Sequence, residues 1–312
     1  MCYGERMRRY QADLILLACA AIWGFAFLFQ KSAMAHVGPF LFVATRSIVA
    51  CIALVPMVLL EQRRAEAMPP AIFPSALAAG TSFFLAATLQ QTGLISATVT
   101  NTGFLTALYV VATPFIAWAL LGQRPATLVW IAAIVSFFGT WLLGGGGLTR
   151  FSYGDLLVAC SAVFWSLHVV LVGRAAKLGF AMTFTALQFA VVAAISAVAA
   201  AMFEPVRFAA IHEAVVSIVY VGVLSSALTF SLFAMALRAT RPAEAAIIVS
   251  TETIFAAIGA YLVLDERLPA IGWMGAGAIL ASIALVQVAQ VRPRKNVTTA
   301  KPAGSLSPGE RP

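Results

Sequence analysis

Apolar runs of roughly 17 to 25 residues follow one another along this chain, each about the length a helix needs to cross the hydrocarbon of a bilayer. Charges gather in short clusters between them. No other feature restricts the fold as much, because a backbone passing through hydrocarbon must satisfy its own hydrogen bonds, and only helices and closed barrels do so. The runs are continuous rather than alternating, which excludes a barrel. Composition agrees, since 62% of the 312 residues are apolar and 10% charged, against about 45 to 50% and about 25% in soluble domains. The sequence therefore predicts an all-α integral membrane protein.

Hydropathy places ten spans near 13 to 30, 40 to 60, 71 to 93, 97 to 121, 126 to 144, 155 to 173, 180 to 203, 213 to 237, 242 to 264 and 269 to 290. Residues 1–11 read as a basic cytoplasmic N-terminus and 291–312 as a disordered basic cytoplasmic tail. Ala33-Met34-Ala35 resembles a signal-peptidase site, but the internal repeat uses the run before it, so that run is expected to stay as a helix. With the N-terminus inside, fifteen of the 20 Lys and Arg fall on the cytoplasmic side and four, Lys31, Arg150, Arg207 and Arg267, on the other, with Arg46 inside the second span. That asymmetry supports both the count and the orientation, and it makes nucleic acid an unneeded partner for the net charge of +8. Cys19, Cys51 and Cys160 lie in apolar runs and Cys2 in the basic start, so four free thiols are expected.

The halves superpose when shifted by 142 to 143 residues. Asp13 and Trp23 fall on Asp155 and Trp165; Phe42, Ala44 and Arg46 on Phe184, Ala186 and Gln188; Gln123-Arg124 and Trp130 on Glu266-Arg267 and Trp273. The repeats run from 12 to 144 and from 155 to 290, joined by a linking loop at 145 to 154. Five spans per half is an odd number, so the second copy enters the membrane upside down. Inverted repeats of this kind build many secondary transporters, with the substrate site near the midplane.

Several residues in order resemble the drug/metabolite transporter superfamily, of the ten-helix EamA type. They are Trp23-Gly24 with Lys31, Arg46, the stretch from Phe104 to Val111 with Pro114, and Glu266-Arg267-Leu268. The resemblance covers about residues 12 to 290 and implies a metabolite or drug exporter with a central cavity lined by both halves. Gln123 stands where an acidic residue is common, and Thr253 where proline is common.

Ionisable groups in mid-membrane cost about 2.5 to 3.5 kcal/mol on insertion scales, so each asks for a use. Glu252 lies about ten residues into span nine, roughly 15 Å deep at about 1.5 Å per residue. A carboxyl there is far cheaper to keep protonated than charged, as a proton-coupling site requires; the plainer role is hydrogen bonding between helices. Arg46 lies roughly 9 Å deep by the same rise. It is placed to snorkel outward, to bind a substrate carboxylate, or to pair with Glu252. Thr98, Thr102, Thr106, Tyr109 and Thr113 recur on one face of span four and read as a cavity wall, although single threonines also serve helix packing. The offset of 143 sets Tyr109 on Glu252, at comparable depth across the centre. Ser161, Trp165 and His168 share a face in span six, and Trp23, Phe27 and Gln30 share one in span one. Thr88 and Gln91 are candidates in span three, while Gly272, Gly275 and Gly277 suit close helix approach or a homodimer contact.

No Walker loop, metal-ligand spacing or nucleophile elbow is present, so no cofactor, metal or catalytic residue is expected, and the energy source is a gradient. The expected partners are a small-molecule substrate and membrane lipids, and the expected location is a bacterial inner (plasma) membrane. An intramembrane enzyme on a lipid-linked substrate would cluster acidic, His or Arg residues near one interface, and a non-transporting scaffold would need no cavity. Orientation is testable in a variant freed of its four cysteines. A cysteine at Arg124 should react with an impermeant maleimide only in inverted vesicles and one at Arg207 only from intact cells, and the reverse pattern overturns the assignment.

Overall fold

The computed structural model describes residues 7–64, 67–122, 124–143, 152–265, 267 and 270–291. Those residues form α1 (Arg9–Ala33), α2 (Pro39–Arg64), α3 (Ile72–Leu94), α4 (Val99–Thr106), α5 (Tyr109–Leu121), α6 (Thr127–Leu143) and α7 (Tyr153–Ala175), followed by a short 3-10 turn. The second half continues with α8 (Ala181–Phe203), α9 (Phe208–Glu213), α10 (Val215–Val219), a π-helical segment (Tyr220–Leu228), α11 (Thr229–Ala236), α12 (Pro242–Val249), α13 (Glu252–Leu264) and α14 (Ala270–Val291). Taken with their continuations, eight helical units are long and apolar enough to cross a membrane, and α6 and α14 hold shorter apolar stretches. The linking loop to residue 151, Cys2, Gln123, Glu266, Leu268 and the tail from 292 lie outside the described residues. Cys19, Cys51 and Cys160 are free thiols.

Large apolar side chains such as Leu14, Ile52, Phe73, Phe115, Phe138 and Leu262 are exposed, while Arg46, Gln91, His168, Gln188 and Glu252 are buried. A water-soluble protein would distribute them the other way. Hydrocarbon explains the pattern, since a polar side chain facing lipid would lose its partners, whereas Leu or Phe loses nothing there.

The fourth span of each half is broken at equivalent places. The α4 to α5 break and the α12 to α13 break stand 143 residues apart at every boundary, and Gly122 and Asp265 end the two spans in the left-handed conformation. At each break the bonds shorten to i→i−3: Leu108 to Leu105 and Val110 to Ala107 in the first, Thr251 to Ile248 and Thr253 to Ser250 in the second. Pro114, which lacks an N–H, accounts for the first break. The second half has no proline there. Instead Ser250, Thr251 and Thr253 donate their hydroxyls back to the carbonyls of Ile247, Ile248 and Ser250, a local bonding that bends helices.

The two halves interleave. α3 lies on α7 and α8, α2 on α8 and the π segment, α1 on α13 and α11, and α6 on α14. Each such contact has its counterpart with the halves exchanged: α1 on α13 matches α7 on α5, and α4 on α13 matches α12 on α5. This is the pattern a pseudo-twofold produces. Close approach at two matched glycines permits it. A methyl group at Gly80 would stand 2.8 Å from the Gln188 carbonyl oxygen, and one at Gly222 would stand 2.8 Å from that of Arg46, the position equivalent to Gln188. Gly80→Leu and Gly222→Leu should each destabilise the protein, by about 1 to 3 kcal/mol or more from overpacking. Thermal unfolding in detergent measures this, and an unchanged melting temperature would contradict the packing.

Candidate substrate-binding cavity

The broken helices turn their breaks toward one cavity between the halves. Trp23, Phe27 and Gln30 of α1, Arg46 of α2, Phe83 and Gln90 of α3, Thr106 and Tyr109 line one side. Trp165, His168 and Val169 of α7, Ser225, Phe230, Phe233, Ala246, Val249 and Glu252 line the other. The space measures about 640 Å³ with any open mouth included, within the range of about 300 to 1,000 Å³ of small-molecule sites.

Phe83 is the centre of an aromatic box. Its ring centroid lies 5.0 Å from that of Trp165, 5.3 Å from His168 and 5.1 Å from both Phe189 and Phe230, all edge-on. The Arg46 guanidinium sits 5.4 Å from the same ring and 5.7 Å from Phe42. A cation on a ring face is held electrostatically, the more so when desolvated. Arg46 is 4% exposed, so it does not snorkel, and among the described residues it has no ion-pair partner within 4.0 Å, Glu252 included.

Tyr109 opens α5 and Glu252 opens α13, and the Tyr109 hydroxyl lies beside the Glu252 carboxyl without forming a hydrogen bond of good geometry. Both side chains stand at the N-terminal, electropositive ends of half-helices, an arrangement that favours negative charge in the cavity. Polar atoms of five lining residues are buried without a partner: Gln30 Oε1, Arg46 Nε, Tyr109 Oη, Trp165 Nε1 and His168 Nδ1. His168 is oriented by Nε2 against Gln188 Oε1 at 3.0 Å. Trp23 donates its Nε1 to the Ser225 carbonyl at 2.8 Å.

Of the residues singled out in the sequence, Glu252, Arg46, Tyr109, Thr106, Trp23, Trp165 and His168 meet in this cavity, as do Phe27 and Gln30. Thr102 and Gln91 do not line it, which corrects their expected place. The wall in span four narrows to Thr106 and Tyr109 because the helix breaks between them. Thr98 caps α4 through Asn101 N, Thr102 donates to the Thr98 carbonyl, and Thr113 donates to that of Tyr109. In α3 it is Gln90 that faces inward, donating to Thr106 Oγ1 at 2.8 Å, and Gln91 is turned away by the ~100° that separates successive helical residues. Ser161 bonds the Val158 carbonyl in its own helix, and Thr88 does not line the cavity. Sequence reasoning missed Phe83, Ser225, Phe230 and Phe233. Among 22 phenylalanines the aromatic signal was too common to separate them, although the offset of 142 sets Phe83 on Ser225.

An all-helical membrane fold around a polar central cavity defines a membrane transporter. The chain belongs to the EamA-like transporter family, whose model matches it twice, over residues 11–145 and 152–288. It is 26% identical over 288 residues to an uncharacterized transporter of Archaeoglobus fulgidus, covering 91% of this chain and 88% of that one. It is 25% identical over 221 residues to an uncharacterized inner membrane transporter, YicL, of Salmonella typhimurium, covering 65% and 70%. A protein of known crystal structure shares the fold with a TM-score of 0.76 at 18% identity, covering 92% of this chain and 100% of that one.

Phe83→Ala should remove the ring that five neighbours share and destabilise the protein by about 3 to 5 kcal/mol, the usual result of truncating a buried phenylalanine. Denaturant or thermal unfolding reads this out. A loss near zero would mean the box is not packed as described.

Proposed function

We propose that the protein is a secondary transporter of the bacterial inner (plasma) membrane that exports small amino-acid-like metabolites or amphipathic compounds by alternating access, with Glu252 coupling transport to protons. In this reading the chain crosses ten times as two inverted five-helix repeats, both termini lie in the cytoplasm, and α6 and α14 are its fifth and tenth crossings. The observation that carries the proposal is a buried cavity holding an arginine and a glutamate that are not ion-paired to each other. Arg46 offers a planar fork for an anionic group, Trp23, Trp165 and Phe230 offer apolar faces, and Glu252 and Tyr109 stand at the helix breaks. Neither a scaffold nor an enzyme working at one interface needs such a space. The location draws on the Salmonella relative, described as an inner membrane protein.

In proteoliposomes, substrate-dependent flux driven by a pH gradient should be abolished by Glu252→Gln while exchange without the gradient persists. Unchanged gradient-driven flux would reject the coupling role. Arg46→Ala should lower flux of carboxylate-bearing compounds by about tenfold or more, the loss expected for a hydrogen bond to a charged group, and spare uncharged amphiphiles. Equal loss for both classes would point to a structural role instead.

A further inference from the structure

Each half of the chain ends its second helix on a glutamate that caps a helix of the other half. Glu61 of α2 accepts from Met182 N at 3.1 Å, Thr183 N at 2.7 Å and the Thr183 hydroxyl at 2.8 Å, around the start of α8. Glu204, just beyond α8, accepts from Phe40 N and Leu41 N, both at 2.8 Å, at the start of α2. The glutamates are 143 residues apart and their targets 142, so one device occurs twice, reciprocally. Each carboxylate meets N–H groups that a helix start leaves unpaired and faces the positive end of its dipole. Such charge-assisted bonds are stronger than neutral ones. Between the two clamps, Val43, Ala50 and Leu54 of α2 and Phe189 and Val192 of α8 belong to one buried apolar cluster. Neither glutamate lines the cavity.

The contact between α1 and α12 is built differently. At its cytoplasmic end it depends on one side chain, Arg9, which reaches Glu244 Oε2 at 2.9 Å, Asp13 Oδ1 at 3.0 Å and the Ala239 carbonyl at 3.3 Å. Farther along, the same two helices carry Trp23, Ala246 and Val249 to the cavity wall. At the opposite end the equivalent pair under the repeat is Asn101 Nδ2 on Asp155 Oδ1 at 3.4 Å.

Resting on the transport reading above, we propose that Glu61 and Glu204 hold α2 and α8 together as one strut that persists through the cycle, and that the cytoplasmic mouth opens at the Arg9–Glu244 contact. Parting α2 from α8 would strip partners from a helix start and a carboxylate and expose an apolar seam in the same motion. Parting α1 from α12 breaks the contacts of one arginine, whose charges can take up water at the interface.

The test uses a cysteine-free full-length protein with Thr106→Cys in the cavity wall, labelled by an impermeant maleimide from the cytoplasmic side. Arg9→Ala should raise the labelling rate about tenfold, the effect of losing a charge-assisted contact. Glu61→Gln and Glu204→Gln should leave that rate at its parental value while lowering the melting temperature. A glutamine variant that labels as fast as Arg9→Ala, or an Arg9→Ala variant that labels at the parental rate, overturns the proposal. Should a glutamine variant fail to assemble, a bismaleimide link between Glu61→Cys and Thr183→Cys, with the probe cysteine revealed afterwards by a cleavable block, restores the clamp. The Arg9→Ala effect must survive in the linked protein, and its loss there refutes the strut. A probe cysteine that no reagent reaches from either side in any variant would sink the transport reading, and this one with it.

Discussion

A polar group in hydrocarbon without a partner is the most expensive thing this chain can contain, and the structure is organised around avoiding it. Helices satisfy the backbone. Most hydroxyls then bond carbonyls one turn back in their own helix, as Thr45, Ser47, Thr81, Thr92 and Thr185 do, and so become packing residues. Groups too large for that solution, Arg46, Gln90, Gln188, His168 and Glu252, are turned inward. Because they come from both halves and cannot be spread over the outer surface, they collect in one place. The cavity follows from the same energetics that make the chain a membrane protein.

Interleaving has a mechanical consequence. The repeats are units of sequence, yet most of the close packing of α1, α2 and α3 is with elements of the second half. Two five-helix halves rocking as rigid blocks would have to tear the α2–α8, α3–α7 and α1–α13 contacts together, and close packing gives these interfaces little room to deform. Moving bodies drawn from both repeats break fewer contacts. The matched helix breaks at Thr106–Tyr109 and Val249–Glu252 supply local flexibility beside the cavity, where i→i−3 bonds already replace regular helical ones.

The membrane fold and its repeat were legible because both depend on properties a single sequence carries directly: run length, charge placement and the offset of rare residues such as tryptophan. The offset also brought Tyr109 to Glu252. Other features escaped because they depend on rotation about a helix axis or on contacts between distant segments. Gln90 and Gln91 differ in sequence by nothing that tells which faces inward, and the answer comes from Thr106 on another helix. Thr253 was noted as a departure from proline, but not that Ser250 and Thr251 would break the helix without one. The pairing of Glu61 with Glu204 was visible at the offset of 143, yet both looked like ordinary interfacial charges.

Where the halves differ matters as much as where they agree. The second half alone contains a π-helical segment, Tyr220–Leu228, and its Ser225 carbonyl takes the Trp23 indole N–H. The equivalent stretch of the first half lies within the regular helix α3, and Trp165 has no partner for its indole. Arg46 likewise has Gln188 as its counterpart, so one half brings charge and the other a neutral amide occupied with His168. A strictly symmetric cavity would present every ligand with two equivalent poses related by the pseudo-twofold. Here the unfilled donors, Arg46 Nε and Trp165 Nε1, gather around the single ring of Phe83, while Glu252 answers to Tyr109 across the space. The departures from symmetry give the cavity a direction, and a directional cavity can hold one substrate in one orientation although the fold around it is doubled.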